Sequence, residues 1–230
     1  EDNGTAIGAG IAANVNMGLD RKFSIIKDYY GRLYDKNEIM EAVLKFNLSY
    51  KVLPENELFR TAAEKIKQEK IFGWFQGRSE FGPRALGNRS IFANPFSSST
   101  KYLLDQLMKC RDRYRPYAPV VIEEQASQFF EINDSSPVMM RNVKVLDKRL
   151  VAIQHVDGTA RVQTVNKKQN KILYSLLLEV EKTIGIPVLL NTSFNRPGEP
   201  IVESPKDALS SFSEGSLDYL FMGNIFISRK

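Results

Sequence analysis

The stretch Glu80-Phe81-Gly82-Pro83-Arg84-Ala85-Leu86-Gly87-Asn88-Arg89 concentrates more chemistry than any other part of this chain. Gly82-Pro83 and Gly87 stop a long helix from forming there and let backbone amides approach a ligand. A guanidinium held on such a loop grips phosphate or carboxylate through paired, planar hydrogen bonds. A β-like run, residues 90–93, follows directly. Three further blocks share this character: Lys109, Arg111, Arg113 and Arg115 within residues 108–119, Arg161 within residues 157–163, and residues 191–202, which open Asn191-Thr192-Ser193-Phe194-Asn195. Each is polar or basic and abuts an apolar, strand-like run. One anion pocket assembled from several strand ends would leave this distribution.

Each block has a second reading. In a continued helix Arg111 and Arg115 would share a face, yet Pro116 forbids helix soon after, so the group straddles a helix end. It is either a cationic clamp on phosphate or a solvated charge run paired through Asp112. The hydroxyls and amides of residues 191–195 can donate to phosphate oxygens or a carbonyl, or close turns onto their own backbone. His155 is the only histidine, which leaves no internal multi-histidine metal site, and it reads as structural.

The elements that must position these groups follow from periodicity and breakers. Residues 3–15 read as a Gly/Ala-rich helix start and the mixed, charged residues 18–47 as a connector. Residues 48–52 read as a strand, 55–68 as an amphipathic helix with Leu58, Ala62, Ala63 and Ile66 inward, and 71–75 as a buried strand. Residues 98–108 read as a helix with an N-cap among 97–99, 117–122 and 150–156 as strands, and 171–183 as a third helix, bounded by Gly185 and Pro187. Residues 187–190 read as the strand that delivers the Asn191-Thr192-Ser193 loop. Ser204 caps a helix over 205–212 with Pro205 at its first position, and 219–222 pairs with 225–228 through the hairpin signature Gly223-Asn224. Strands and helices mix without strict alternation, which predicts an α+β or mixed α/β fold.

Bulk composition permits this. With 230 residues, 43% of them hydrophobic and 26% charged, the chain suits one large domain or a domain with an appendage. The net charge of +5 is spread along the chain and suits small anions at least as well as nucleic acid. No apolar run approaches the ~20 residues that span a bilayer. The acidic start lacks a signal-peptide pattern, and without an initial Met a fragment is expected. The single Cys110 forms no internal disulfide and fits a reducing, cytoplasmic setting.

Residues 80–91, Arg115-Pro116-Tyr117-Ala118-Pro119, 157–163, 191–202 and Leu217-Asp218, in that order across nearly all of the chain, resemble the C-terminal region of the O-carbamoyltransferases of nodulation factors and antibiotics. The resemblance implies a YrdC-like twisted mixed sheet with flanking helices over residues 48–230, a connector over 25–47, and the tail of an actin-like transfer domain over 1–24. It implies that carbamoyl phosphate is consumed and the carbamoyl unit activated by ATP, with Mg, as carbamoyl adenylate with release of pyrophosphate. The unit then passes to an acceptor hydroxyl, that of a sugar, in an N-terminal actin-like domain. By the same resemblance Arg84, Lys109 and Arg115 carry the catalytic charge, and with Arg161 they hold the phosphates. Ser193 and Asn195 complete the cradle, and Arg89, Arg111 and Asn191 stand second. Asp2 matches an aspartate that helps hold a metal ion, iron, beside histidines that this chain lacks, so no competent transfer site is expected within it. Asp112 and Tyr117 replace the family's usual Glu and Phe conservatively. Two rival readings are a basic YrdC-like module that binds RNA and a non-catalytic carbamoyl phosphate-binding domain.

Overall fold

Strands buried on both faces need apolar residues at consecutive positions, and the centre of this chain supplies them. The computed structural model describes residues 4–19, 28–110, 112 and 114–229. Its strands are β1 (Ser49–Val52), β2 (Phe72–Phe75), β3 (Arg89–Ala93), β4 (Ala118–Ile122), β5 (Arg141–Lys144), β6 (Thr159–Val165), β7 (Val188–Ser193), β8 (Tyr219–Met222) and β9 (Ile225–Ser228). They form one nine-stranded sheet in the order β1-β9-β8-β2-β3-β7-β4-β6-β5. The β2–β8 and β4–β6 pairs are parallel and the rest antiparallel, so the expected mixed sheet is present.

Helices cover both faces. In chain order the helices are α1 (Gly4–Asn16), which buries no residue, α2 (Lys36–Leu44), α3 (Glu55–Lys67), α4 (Ser98–Leu103), α5 (Ala126–Phe129), α6 (Lys171–Ile184) and α7 (Pro205–Glu214). Period-2 alternation divides the core. Phe72, Trp74, Phe92, Val120, Ile122, Leu189 and Phe221 face α3 and α6. Phe75, Ile91, Ala93, Val121, Val188, Leu190, Leu220 and Met222 face the side where α2 and α7 pack. Among the described residues, no helix is long and apolar enough to cross a membrane.

Register brings the polar blocks together. Ser90 pairs with Ser193, Ala118 with Asn191 and Val120 with Gln163. The N-terminal ends of β3, β4 and β6 therefore meet the C-terminal end of β7 along one edge. The 76–88 loop leaves β2 at this same edge, because Phe75 pairs with Arg89.

Three local expectations need correction. Residues 150–156 form turns rather than a strand: the Leu150 amide donates to Asp147 O and the Val151 amide to Arg149 O. Leu150, Ala152 and Ile153 are apolar because they sit in the core. The connector contains α2, started by an Asp35–Glu38 capping box and anchored by buried Ile39 and Val43. The helix begun at Ser98, with Ser97 as N-cap, changes at Leu104 into a π-helical segment, Leu104–Lys109, and ends at Cys110 with φ 43°. Such π segments recur at functional sites.

Candidate functional site

The arginine loop takes its shape from a carboxylate inside it. Glu80 Oε1 accepts the amides of Leu86 (2.7 Å), Asn88 (2.7 Å) and, more weakly, Arg89 (3.3 Å). The stem of Glu80 reaches the surface while its carboxyl lies in the interior. That burial raises its pKa above the ordinary glutamate value, against the opposing pull of the donated amides and the nearby Arg89 charge. Behind the loop, Asn88 Nδ2 donates to Arg78 O (2.7 Å) and Asn170 Nδ2 to Asn88 Oδ1 (2.9 Å). Asn170 Oδ1 also caps α6 through the Leu173 amide (3.0 Å), so the loop is tied to a helix start.

Gly87 shows how tight this seat is. Its φ is +106°, and an added Cβ would lie 2.3 Å from Leu173 Cδ2. Gly87→Ala is therefore expected to lower stability by about 1–3 kcal/mol through overpacking, read as a lower denaturation midpoint in urea.

Above the loop lies a cavity of about 320 Å³, lined by Arg84, Arg115, Tyr117, Arg161, Asn191 and Ser193 among others. Four chain segments supply these residues: the 76–88 loop, the residues just before β4, the start of β6 and the end of β7. Of the described residues in the wall none is acidic. Arg115 and Arg161 are exposed and Arg84 is half-buried, so guanidinium groups face an opening that water and small anions can enter. Asn191, 1% exposed, belongs to the strand rather than to a loop.

Lys109 sits at the margin. Its ammonium donates to Ser193 O (2.6 Å), Asn195 O (2.9 Å) and Asn195 Oδ1 (2.8 Å), and lies 3.3 Å from Ser193 Oγ. Ser193 Oγ donates in turn to Asn195 Oδ1 (2.6 Å). Lys109 thus clasps the end of β7 and brings a positive charge to the same edge as Arg84.

Arg89 is placed differently from the other candidates. It is wholly buried, and its guanidinium stacks 3.6 Å from the centre of the Phe75 ring. It donates to Gln76 O (2.8 Å), Asn88 O (3.0 Å) and Gly77 O (3.2 Å). Burial brings its pKa down to about 10, against the Glu80 charge. In this position it pins the loop base and does not line the cavity. Arg111 and Asp2 lie outside the described residues. Among the described residues no group of three or more His, Cys, Asp or Glu is gathered as metal ligands would be.

Sequence reasoning passed over three supporting residues. Glu80 was visible as the one acid in a basic motif. Gln163, buried, donates Nε2 to Leu86 O (2.8 Å) and accepts Asn191 Nδ2 at Oε1 (2.8 Å). Asp105, on the π segment and 1% exposed, accepts Tyr117 Oη (2.8 Å) and Lys101 Nζ (2.9 Å), fixing a wall residue. Gln163 lies two residues from Arg161 and Asp105 four from Lys109, but neither residue type by itself signals a wall-bracing role. As for stacking groups near the loop, Trp74 and Phe75 are core, which leaves Phe81 at the surface.

The family described as Carbamoyltransferase C-terminus matches residues 63–229. The chain belongs to that family. The nodulation protein NolO of Bradyrhizobium diazoefficiens is 38% identical over 237 residues, covering 100% of this chain and 43% of its own length. The 3'-hydroxymethylcephem-O-carbamoyltransferase of Amycolatopsis lactamdurans is 36% identical over 161 residues, covering 70% of this chain and 31% of its own length. This carbamoyltransferase C-terminus therefore spans less than half the length of these relatives. Two HypF crystal structures share its fold. One, full-length and in a phosphate- and nucleotide-bound form, aligns with a TM-score of 0.51 at 17% identity over 79% of this chain and 22% of that one. HypF of T. kodakarensis aligns with a TM-score of 0.53 at 18% identity over 80% of this chain and 23% of that one. The likeness agrees with the YrdC-like sheet expected from the sequence.

Proposed function

We propose that this chain is the carbamoyl-activating part of a carbamoyltransferase, with carbamoyl phosphate and ATP held in the arginine-lined cavity. The observation that carries the reading is the convergence of Arg84, Arg115 and Arg161 on one opening, with Ser193 in its wall and Lys109 at its margin. Small, highly charged phosphates are what such a donor set holds best. Water removes the phosphoryl group of carbamoyl phosphate as phosphate and leaves carbamate. A carbamate oxygen then attacks the α-phosphorus of ATP, and pyrophosphate departs. The guanidinium groups hold the reactants together and stabilise the oxygen charge that builds up, so the contribution is positioning and electrostatics. Magnesium carried in with ATP would offset the charge of the leaving pyrophosphate.

The carbamoyl unit goes on to a hydroxyl of an acceptor, a sugar in this reading, in the actin-like domain of a longer cytoplasmic protein. In that protein Asp2 would help hold a metal ion, iron, with histidines supplied upstream; residues 1–24 belong to the transfer domain, 25–47 connect, and 48–230 form the activating domain. The relative named as a cephem O-carbamoyltransferase supports a hydroxyl acceptor.

The test is isotope exchange between pyrophosphate and ATP in the longer protein. Exchange that requires carbamoyl phosphate is expected. Carbamoyl phosphate binding without exchange would reduce the chain to a non-catalytic binding domain. RNA binding with a steep salt dependence, and no carbamoyl phosphate binding, would replace the reading altogether.

A further inference from the structure

We infer that Asn191 Oδ1 reads the amino group of the carbamoyl unit, with Gln163 as the positioning residue that turns it; the inference rests on the carbamoyl phosphate reading above. Two backbone carbonyls orient the side-chain amides. Leu86 O takes Gln163 Nε2 (2.8 Å), which turns Gln163 Oε1 toward Asn191. Asn191 Nδ2 then donates both to Gln163 Oε1 (2.8 Å) and to Ala85 O (3.1 Å). A flipped Asn191 amide would set its oxygen against two acceptors, so the orientation is determined by chemistry.

This leaves Oδ1 as a buried acceptor with no hydrogen-bond partner, on a residue 1% exposed in the cavity wall. An orphan of this kind is costly and calls for a donor from a ligand. The charged side chains of the same wall are the guanidinium groups of Arg84, Arg115 and Arg161, which only donate. A ligand that satisfies both carries anionic oxygens at one end and an N–H group at the other. Carbamoyl phosphate has that form. Acetyl phosphate matches it in charge and nearly in shape, but its methyl group offers no hydrogen. The wall thus discriminates between the two by one hydrogen bond and by the penalty of an acceptor left unpaired.

The experiment is calorimetric titration of the protein with carbamoyl phosphate, acetyl phosphate and inorganic phosphate. Wild-type protein is expected to prefer carbamoyl over acetyl phosphate by about tenfold or more. Asn191→Leu and Gln163→Leu are expected to bring that ratio close to one; loosening of the loop that carries Arg84 would weaken both acyl phosphates together and leave their ratio unchanged, so the ratio is the readout. Equal binding of the two acyl phosphates by wild-type protein overturns the inference without any variant, and so does a preference that survives Asn191→Leu. Failure of all three ligands to bind overturns the carbamoyl phosphate reading itself, and the inference with it.

Discussion

Glu80→Ala is expected to lower stability by about 3–5 kcal/mol and to abolish anion binding, although Glu80 is not part of the cavity wall. The amides of Leu86 and Asn88 each sit 2.7 Å from Glu80 Oε1, and the substitution leaves both, and the weaker Arg89 amide, without that acceptor. A buried amide left unpaired costs about 1–3 kcal/mol, so the sum is a large part of a domain's usual stability. The loop that carries Arg84 then has no reason to hold its shape. Glu80→Gln keeps Oε1 and should restore most of the loss. It should also change the pH dependence. Burial holds the Glu80 carboxyl above its ordinary pKa, so its contribution to stability is full at pH below the ordinary glutamate range and is lost as pH rises through the raised value. Glu80→Gln removes that fall. Urea denaturation of the three proteins across the acid-to-neutral range checks both statements, and a wild-type curve parallel to that of the glutamine variant rejects the second.

Arg84→Ala combined with Arg115→Ala should weaken carbamoyl phosphate binding by at least a hundredfold while leaving the fold intact. Each guanidinium makes a charge-assisted contact of about 1.5–3 kcal/mol in the proposed complex. Two such contacts give about 3–6 kcal/mol if independent, and shared contact with one phosphate lowers the sum. Arg115 is exposed, and the backbone around Arg84 is held by Glu80 and Asn191, which both substitutions leave in place. Single and double variants titrated by calorimetry at two salt concentrations separate direct contact from general attraction, which salt screens. Unchanged affinity in the double variant would remove the cavity from the binding reaction.

The clearest lesson on legibility lies in Arg84 and Arg89, neighbours in one motif with opposite fates. Loop chemistry announces both as anion ligands. Strand register sends Arg89 inward beside Phe75, where three carbonyls at the loop base take its hydrogens. Such a fate depends on which carbonyls a distant turn leaves unpaired, and residue type does not encode that. Leu150, Ala152 and Ile153 mislead for a related reason, since burial selects apolar residues in turns as readily as in strands. The capping box of α2 was readable at Asp35 and Glu38, yet the charged residues around it masked the two that anchor the helix, Ile39 and Val43.

By itself the order of residues determined the mixed fold, most of the helices and strands, and the family, because caps, breakers and periodicity act over a few neighbours and motifs persist in order. It also marked which blocks carry charge. Only the tertiary structure decided which cations share an opening, that Lys109 clasps the end of β7, and that Asn191 presents an oxygen with no donor. Those outcomes depend on pairing between strands far apart in the chain: a shift of one residue in register sends every side chain of a strand to the opposite face.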